Sequence, residues 1–224
     1  MNINTKEYWE ERFATGHWES RDGRNQTRGF AKAQIHYIKR ALPGWRGGSL
    51  LDFGCGTGDA FPLYLDAFRG ANLIGSDISS AAIEKCRRDY GTIANFIVGI
   101  EKDIPSVDLI VVSNVLEHLT DYESVARTLV AKCADLFITV PFREYIPDGP
   151  KHEHVNRFDE NSFQGLNVIE RNAFECPGWS EYGVDLWKNV YLKNLLRPIF
   201  FKPIRRRRLQ IIYHIRGARA GMKV

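Results

Sequence analysis

The four cysteines of this 224-residue chain form no CxxC pair: Cys55, Cys86, Cys133 and Cys176 lie 31, 47 and 43 residues apart. Such spacing offers neither a zinc knuckle nor a disulfide framework, and a reduced, cytoplasmic setting is the expectation. No stretch reaches the roughly 18 uncharged apolar residues of a membrane-spanning helix. The opening MNINTKEYWEERF lacks an apolar h-region, so no secretory leader is expected. Repeats and low-complexity tracts are absent, and the 44% hydrophobic content is enough for a core, which argues against general disorder. Acidic residues are missing from the C-terminal end. From Arg197 onward there are nine Lys/Arg and no Asp/Glu, leaving 22 basic against 27 acidic residues in the rest. The chain thus reads as a mildly acidic body with a basic end.

What is present is an alternation of short apolar runs and amphipathic stretches. Residues 5–18 and 27–42 have helical spacing. Ser49 to Phe53 reads as a buried strand ahead of glycines, followed by a helix over 59–69. Strands are predicted at 71–76, 95–99, 107–113 and 135–140, with helices at 79–90 and 121–133. Beyond Pro141 a polar loop carries His152 and His154, Asp159 is placed as the N-cap of a helix over 159–165, and strands are expected at 167–173 and 209–215. The alternation predicts an α/β fold, doubly wound around a mostly parallel sheet. The chain divides into N-terminal helices (1–48) over the ligand site, a core (49–175), an aromatic and basic insertion (176–208) and a last strand with its tail (209–224).

The sharpest local signal is LDFGCGTGD, Leu51 to Asp59. Gly54, Gly56 and Gly58 follow a strand and open a helix, where glycine allows positive φ and close approach of a ligand to the backbone. Asp52 stands at the strand end. Asp77 closes the next strand, 19 residues past Gly58, where a carboxylate can take the two ribose hydroxyls of an adenosine ligand. A nicotinamide enzyme would show GxGxxG, and GCGTG departs from that.

LDFGCGTGD resembles motif I of the class I S-adenosylmethionine-dependent methyltransferases. GSDIS (Gly75 to Ser79) is similar to their acidic second-strand motif. VDLIVVSNVLEHL (Val107 to Leu119) resembles their fourth strand and its loop in small-molecule members, and YWEERF (Tyr8 to Phe13) a common opening. The resemblance spans roughly residues 5–175. It implies a Rossmann-like sheet of seven strands with flanking helices, and S-adenosyl-L-methionine as cofactor. By position it implies Gly54, Gly56 and Gly58 against the methionine portion, Asp52 near its amino group, Asp77 on the ribose, Ile78 on adenine, and Asn114 and Val115 near the sulfonium. Many relatives place Asp after the third strand to meet the adenine amino group. This chain has Ile100 there, with Glu101 and Asp103 as candidate substitutes.

A neutral alcohol acceptor needs its proton removed, and histidine suits that near neutral pH. The candidates are His118, His152, Glu153 and His154, with His154 and His118 foremost as bases; His154 lies in a loop similar to one in methyltransferases of cell-surface saccharide clusters. His118 serves equally as a hydrogen-bonding residue of the fold, and His152 as a solvated one. Two histidines two apart also suit a metal, but no third ligand has recognisable spacing, so no metal is expected. The absence of an (N/D)PPY motif and of a Pro-Cys element points to O-methylation of a small molecule or glycan. RNA or other N-methylation and a non-catalytic cofactor-binding protein are the alternatives, and nucleic acid is the weaker partner reading. The aromatic and basic run over 184–208 has the pattern of a membrane-surface element, which would place the chain peripherally at the inner face against anionic lipid and suit a lipid-linked saccharide. Its alternative is a helix packed on the sheet. The oligomeric state is not legible.

Overall fold

The computed structural model describes residues 3–146, 152–175, 195–201 and 209–219. Helices α1 (Lys6–Ala14), α2 (His17–Ser20) and α3 (Gly23–Ala41) precede β1 (Ser49–Phe53). Then follow α4 (Phe61–Ala67), β2 (Asn72–Asp77), α5 (Ser80–Tyr90), β3 (Asn95–Val98) and β4 (Leu109–Ser113). A 3₁₀ turn (Leu116–His118), α6 (Tyr122–Lys132), β5 (Asp135–Pro141), β6 (Val168–Glu175) and β7 (Leu209–Arg216) complete the described core. The seven strands form one sheet in the order β3-β2-β1-β4-β5-β7-β6. β1 to β5 run parallel, and β7 lies antiparallel to both β5 and β6. This is the predicted seven-stranded, mostly parallel sheet.

Both faces of the sheet are covered, which is why its central strands read as unbroken apolar runs. Side chains alternate between two cores. Leu51, Ile110, Val112 and Ile138 face α6 with Ala126 and Leu129. Leu50, Leu109, Val111 and Phe137 face the other way, against Ile38 of α3, Phe61 and Tyr64 of α4 and Ile83 of α5. Gln34 of α3 is fully buried in this second layer. Its Nε2 donates to the Val112 carbonyl (3.1 Å) and to Thr139 Oγ1 (3.0 Å), and its Oε1 accepts from Tyr64 Oη (3.3 Å). A buried amide is stable only when so paired.

Two expectations need correction. The single helix over 5–18 is broken after Ala14, because Gly16 takes φ 75° and turns the chain. No helix forms over 159–165. Asp159 Oδ1 instead accepts from the Asn161 amide at 2.8 Å, a local Asx-type bond that competes with helix, and the segment stays a series of turns. The aromatic and basic insertion falls mostly outside the described residues. Of it, Leu195 to Phe201 are described: Ile199, Phe200 and Phe201 are exposed, Phe201 at 98%.

Candidate functional site

The carboxyl ends of β1, β2 and β4 open on a cavity of 860 Å³. That size suits a cofactor with room for an acceptor, and the carboxyl edge of an open α/β sheet is where ligands are expected. Asp52, Gly54, Gly56, Asp77, Ile78, Asn114, Val115, His118 and His154 all line it. Gly58 does not: a Cβ there would meet Cys86 Sγ and Tyr90 Cδ2, each at 2.9 Å, so Gly58 serves the packing of the turn onto α5.

The glycine turn is built for close approach. Gly54 has φ 75°, and a Cβ there would stand 2.3 Å from Val115 Cγ2. Gly56 has φ 52° and presents its amide to Asp77 Oδ2 at 2.9 Å, while the Ser79 amide donates to Asp77 Oδ1 at 3.0 Å. Asp77 thus fastens the turn to the start of α5. Its two oxygens offer about four lone-pair directions, so acceptance from ribose hydroxyls remains open. Burial raises the Asp77 carboxyl above its ordinary pKa, opposed by these backbone donors. Asp52, 4% exposed, is pushed up to about 7 by burial and then by the charge of Asp77. A buried carboxylate held back from ionising is the group that a cationic ligand amine would stabilise. Asn114 takes φ 52°, a conformation asparagine tolerates, as the chain leaves β4 for the 3₁₀ turn. Where relatives would place an acid for adenine, Ile100 and Glu101 line the wall; Asp103 instead accepts from the Ile100 amide at 2.9 Å.

The donor set fits an adenosyl cofactor. Two buried carboxyl groups, of the chemistry that a hydroxyl pair and an amine call for, line the cavity beside the turn, and the absence of a Cβ at Gly54 lets the turn pack against Val115 of the same wall.

α1 closes one side of the cavity with Trp9, Arg12 and Phe13. Thr5 caps this helix, and Glu10 ties it to α5 by accepting from Ser79 Oγ (2.7 Å), Ser80 Oγ (2.9 Å) and the Ala81 amide (3.1 Å). A carboxylate at a helix N-terminus also meets the positive end of the helix dipole. Arg12 and Tyr8 reach across to Glu153, which accepts from Arg12 Nη1 at 2.5 Å and Tyr8 Oη at 2.6 Å.

Of the acidic groups behind the two histidines the sequence singled out Glu153, but not Glu117 or Glu144. The loop after β5 is strapped to the 3₁₀ turn: the Val155 amide donates to the Glu117 carbonyl at 2.8 Å, and Asn156 Nδ2 donates to the carbonyls of Leu116 (2.9 Å) and Leu119 (2.5 Å). This brings His154 beside His118, ring centres 5.0 Å apart. The His118 Nδ1 pairs with the Glu153 carbonyl at 3.0 Å, and the His154 Nδ1 pairs with the Glu144 carboxylate. Burial, then the nearby charge of His154, lowers His118 to about 4. For His154 burial pulls the pKa down, but the Glu144 bond and the charges of Glu117, Glu144 and Glu153 outweigh it and raise it. Glu117 is fully buried, and among the described residues neither of its oxygens has a hydrogen-bond partner. Burial pushes it up to about 8. His152 Nδ1 lies 3.2 Å from the His154 carbonyl and serves the loop itself.

Comparison with known proteins agrees with this geometry. Residues 51–135 match the methyltransferase-domain family. The plantazolicin methyltransferase in complex with SAH superposes with a TM-score of 0.61 at 15% identity, covering 96% of each chain. Magnesium protoporphyrin IX methyltransferase from Synechocystis PCC 6803 with bound SAM gives 0.60 at 14% identity, covering 95% of this chain and 97% of that one. Coclaurine N-methyltransferase gives 0.60 at 12% identity, covering 84% of this chain and 72% of the other. An uncharacterised protein of Haemophilus influenzae is 30% identical over 149 residues, a match spanning 61% of this chain and 58% of that relative. The glycine turn and the two carboxylates thus fall in or beside a segment, residues 51–135, that matches a methyltransferase-domain family, and the seven-stranded sheet has the fold of these solved methyltransferases.

Proposed function

We propose that the chain is an S-adenosylmethionine-dependent methyltransferase acting on a hydroxyl of a small molecule or glycan. The observation that carries the reading is the pairing of Asp52 and Asp77 across the mouth of the glycine turn, inside one cavity with His154. Gly54 and Gly56 lie where they give the methionine portion access to the backbone, Asp52 meets its ammonium, and Asp77 takes the ribose. Ile78 and Ile100 are the apolar flanks for adenine. Bound there, the cofactor supplies an electrophilic methyl carbon on a sulfonium. The protein's share is mostly positioning: α1 and the loop after β5 wall off the acceptor side, so that an acceptor oxygen held there lies in line with the methyl. Without a bound cation, His154 is the base. Glu144 holds its Nδ1, which leaves Nε2 to take the hydroxyl proton.

The glycan reading rests on the polar and acidic acceptor side and on the resemblance of the His154 loop. We further place the protein at the cytoplasmic face of a membrane, on the exposed Ile199, Phe200 and Phe201, which the basic run Arg205 to Arg208 follows in sequence. Salt-sensitive binding to anionic liposomes supports that placement; no binding removes it.

Calorimetric titration with S-adenosylmethionine, S-adenosylhomocysteine and NAD tests the cofactor, with Asp77→Asn as control and a thermal melt to show that the variant is folded. Binding of both adenosyl ligands and not NAD, weakened at least tenfold in the variant, is expected. Binding of NAD alone would overturn the reading. A labelled-methyl screen of hydroxyl acceptors, saccharides first, then tests the acceptor class against amines.

A further inference from the structure

One ligating atom from each of Glu117, His118 and His154 lies within 4.8 Å of the other two. Glu117 and His118 come from the turn after β4, and His154 from the loop after β5, 36 residues beyond His118. We propose that these three side chains form a site for a divalent transition-metal ion of the zinc class, with its remaining position open to the cavity.

Three observations carry this. First, Glu117 is 0% exposed and, among the described residues, both its carboxyl oxygens lack a hydrogen-bond partner. Burying a carboxyl without a partner is unfavourable, and a cation beside it offsets that cost. Second, each histidine is already oriented as a metal ligand would be. His118 Nδ1 is held by the Glu153 carbonyl and His154 Nδ1 by the Glu144 carboxylate. Ligating histidines nearly always give one ring N–H to a carbonyl or carboxylate, which leaves the other nitrogen as an electron-pair donor. Third, the surroundings are acidic. The carboxyl groups of Glu117, Glu144 and Glu153 all act on His154, and Arg12 pairs with Glu153.

Two imidazoles and a carboxylate suit zinc or its neighbours better than magnesium or calcium, and a three-ligand set with an open position is the catalytic kind. Tetrahedral bonds of this type put donors about 3.3 Å apart. The donor atoms would therefore draw together by up to about 1.5 Å on an ion, a movement open to a partly exposed loop residue such as His154. All three residues line the cavity proposed to take the acceptor. In that position the ion would receive an acceptor hydroxyl as its further ligand. The O–H bond breaks, the proton passes to solvent water, and the oxygen keeps the electron pair and stays on the metal. His154 then acts as a ligand, and the ion replaces it as the means of making the acceptor nucleophilic. This last step rests on the methyltransferase reading; the metal site does not.

The test uses the full chain, stripped with a chelator and titrated with Co²⁺ alone, read by visible absorption, then with Zn²⁺. One equivalent of Co²⁺ with d–d bands of a four- or five-coordinate ion, displaced by Zn²⁺, is expected. Glu117→Gln and His154→Ala should each weaken binding at least a hundredfold while keeping the wild-type melting profile to within a few degrees. Glu144→Gln, which removes the carboxylate that holds His154 Nδ1, should weaken it about 10- to 100-fold. Absence of stoichiometric Co²⁺ and Zn²⁺ binding, or equal binding by wild type and the His154→Ala variant, overturns the proposal. Titration with S-adenosylhomocysteine in parallel separates the two ideas: metal binding without adenosyl binding would sink the methyltransferase reading alone.

Discussion

Asp52→Asn makes the hardest demand on this account, because it should improve the fold and harm the site. The Asp52 carboxyl is buried beside Asp77 and its pKa rises from 3.8 to about 7. An acid with a raised pKa in the folded state binds more protons folded than unfolded between those two values. Its destabilising effect is therefore absent below about pH 4, grows as the pH rises, and is complete above about pH 7. A shift of about three units corresponds to roughly 4 kcal/mol, an upper figure for a buried group beside a second charge. Asparagine removes the charge but leaves an amide to satisfy, at roughly 1–3 kcal/mol. The variant should thus be more stable than wild type by about 1–3 kcal/mol at pH 8, a rise in melting temperature of roughly 2–4 °C per kcal/mol. At pH 5 the gain should vanish or reverse. S-adenosylhomocysteine binding should weaken about 10- to 100-fold, since a hydrogen bond to a charged group contributes roughly 1.5–3 kcal/mol. Differential scanning calorimetry at the two pH values, with titration of the ligand, measures both. A melting difference that is the same at pH 5 and pH 8, or unchanged ligand affinity, would refute the reasoning.

Other expectations follow from single contacts. Gly54→Ala puts a methyl 2.3 Å from Val115 Cγ2 on a backbone with φ 75°; adenosyl affinity should fall at least tenfold, with about 1–3 kcal/mol of stability lost, read by titration and melting. Gln34→Ala strips the Val112 carbonyl, Thr139 and Tyr64 of their buried partner, and a loss of about 2–4 kcal/mol is expected in urea unfolding; a loss under 0.5 kcal/mol would contradict the pairing. Glu10→Ala frees α1 from the start of α5. Amide exchange over residues 6–14 should accelerate well beyond that of β4, and an unchanged exchange pattern would show that α1 is held by other means.

The cofactor end of the site was legible because its chemistry is local. A strand, a glycine turn and the next strand end lie within 28 residues, and parallel pairing of β1 with β2 sets Asp52 opposite Gly75, two residues before Asp77. Gly58 was read too broadly: spacing shows that glycine is needed there but not whether a ligand or the α5 side chains are the reason. Helix boundaries near Gly16 and the turns after Asp159 were misread because side-chain bonds and glycine φ compete with periodicity. The acceptor end was barely legible. Glu153 stood out only as part of the histidine loop, Glu117 and Glu144 are ordinary acidic residues in a linear reading, and the loop's approach to His118 goes with the strap made by Asn156.

By itself, then, the sequence determined the strand–helix alternation, the doubly wound sheet and the carboxylates of the glycine turn, since apolar periodicity and glycine placement act over a few residues. Only the tertiary structure decided which side chains face Glu117, how α1 closes the cavity and why burial raises the pKa of the Asp52 and Glu117 carboxyls. Burial and electrostatic coupling depend on distances between segments far apart in the chain, and those distances exist only once the sheet has formed.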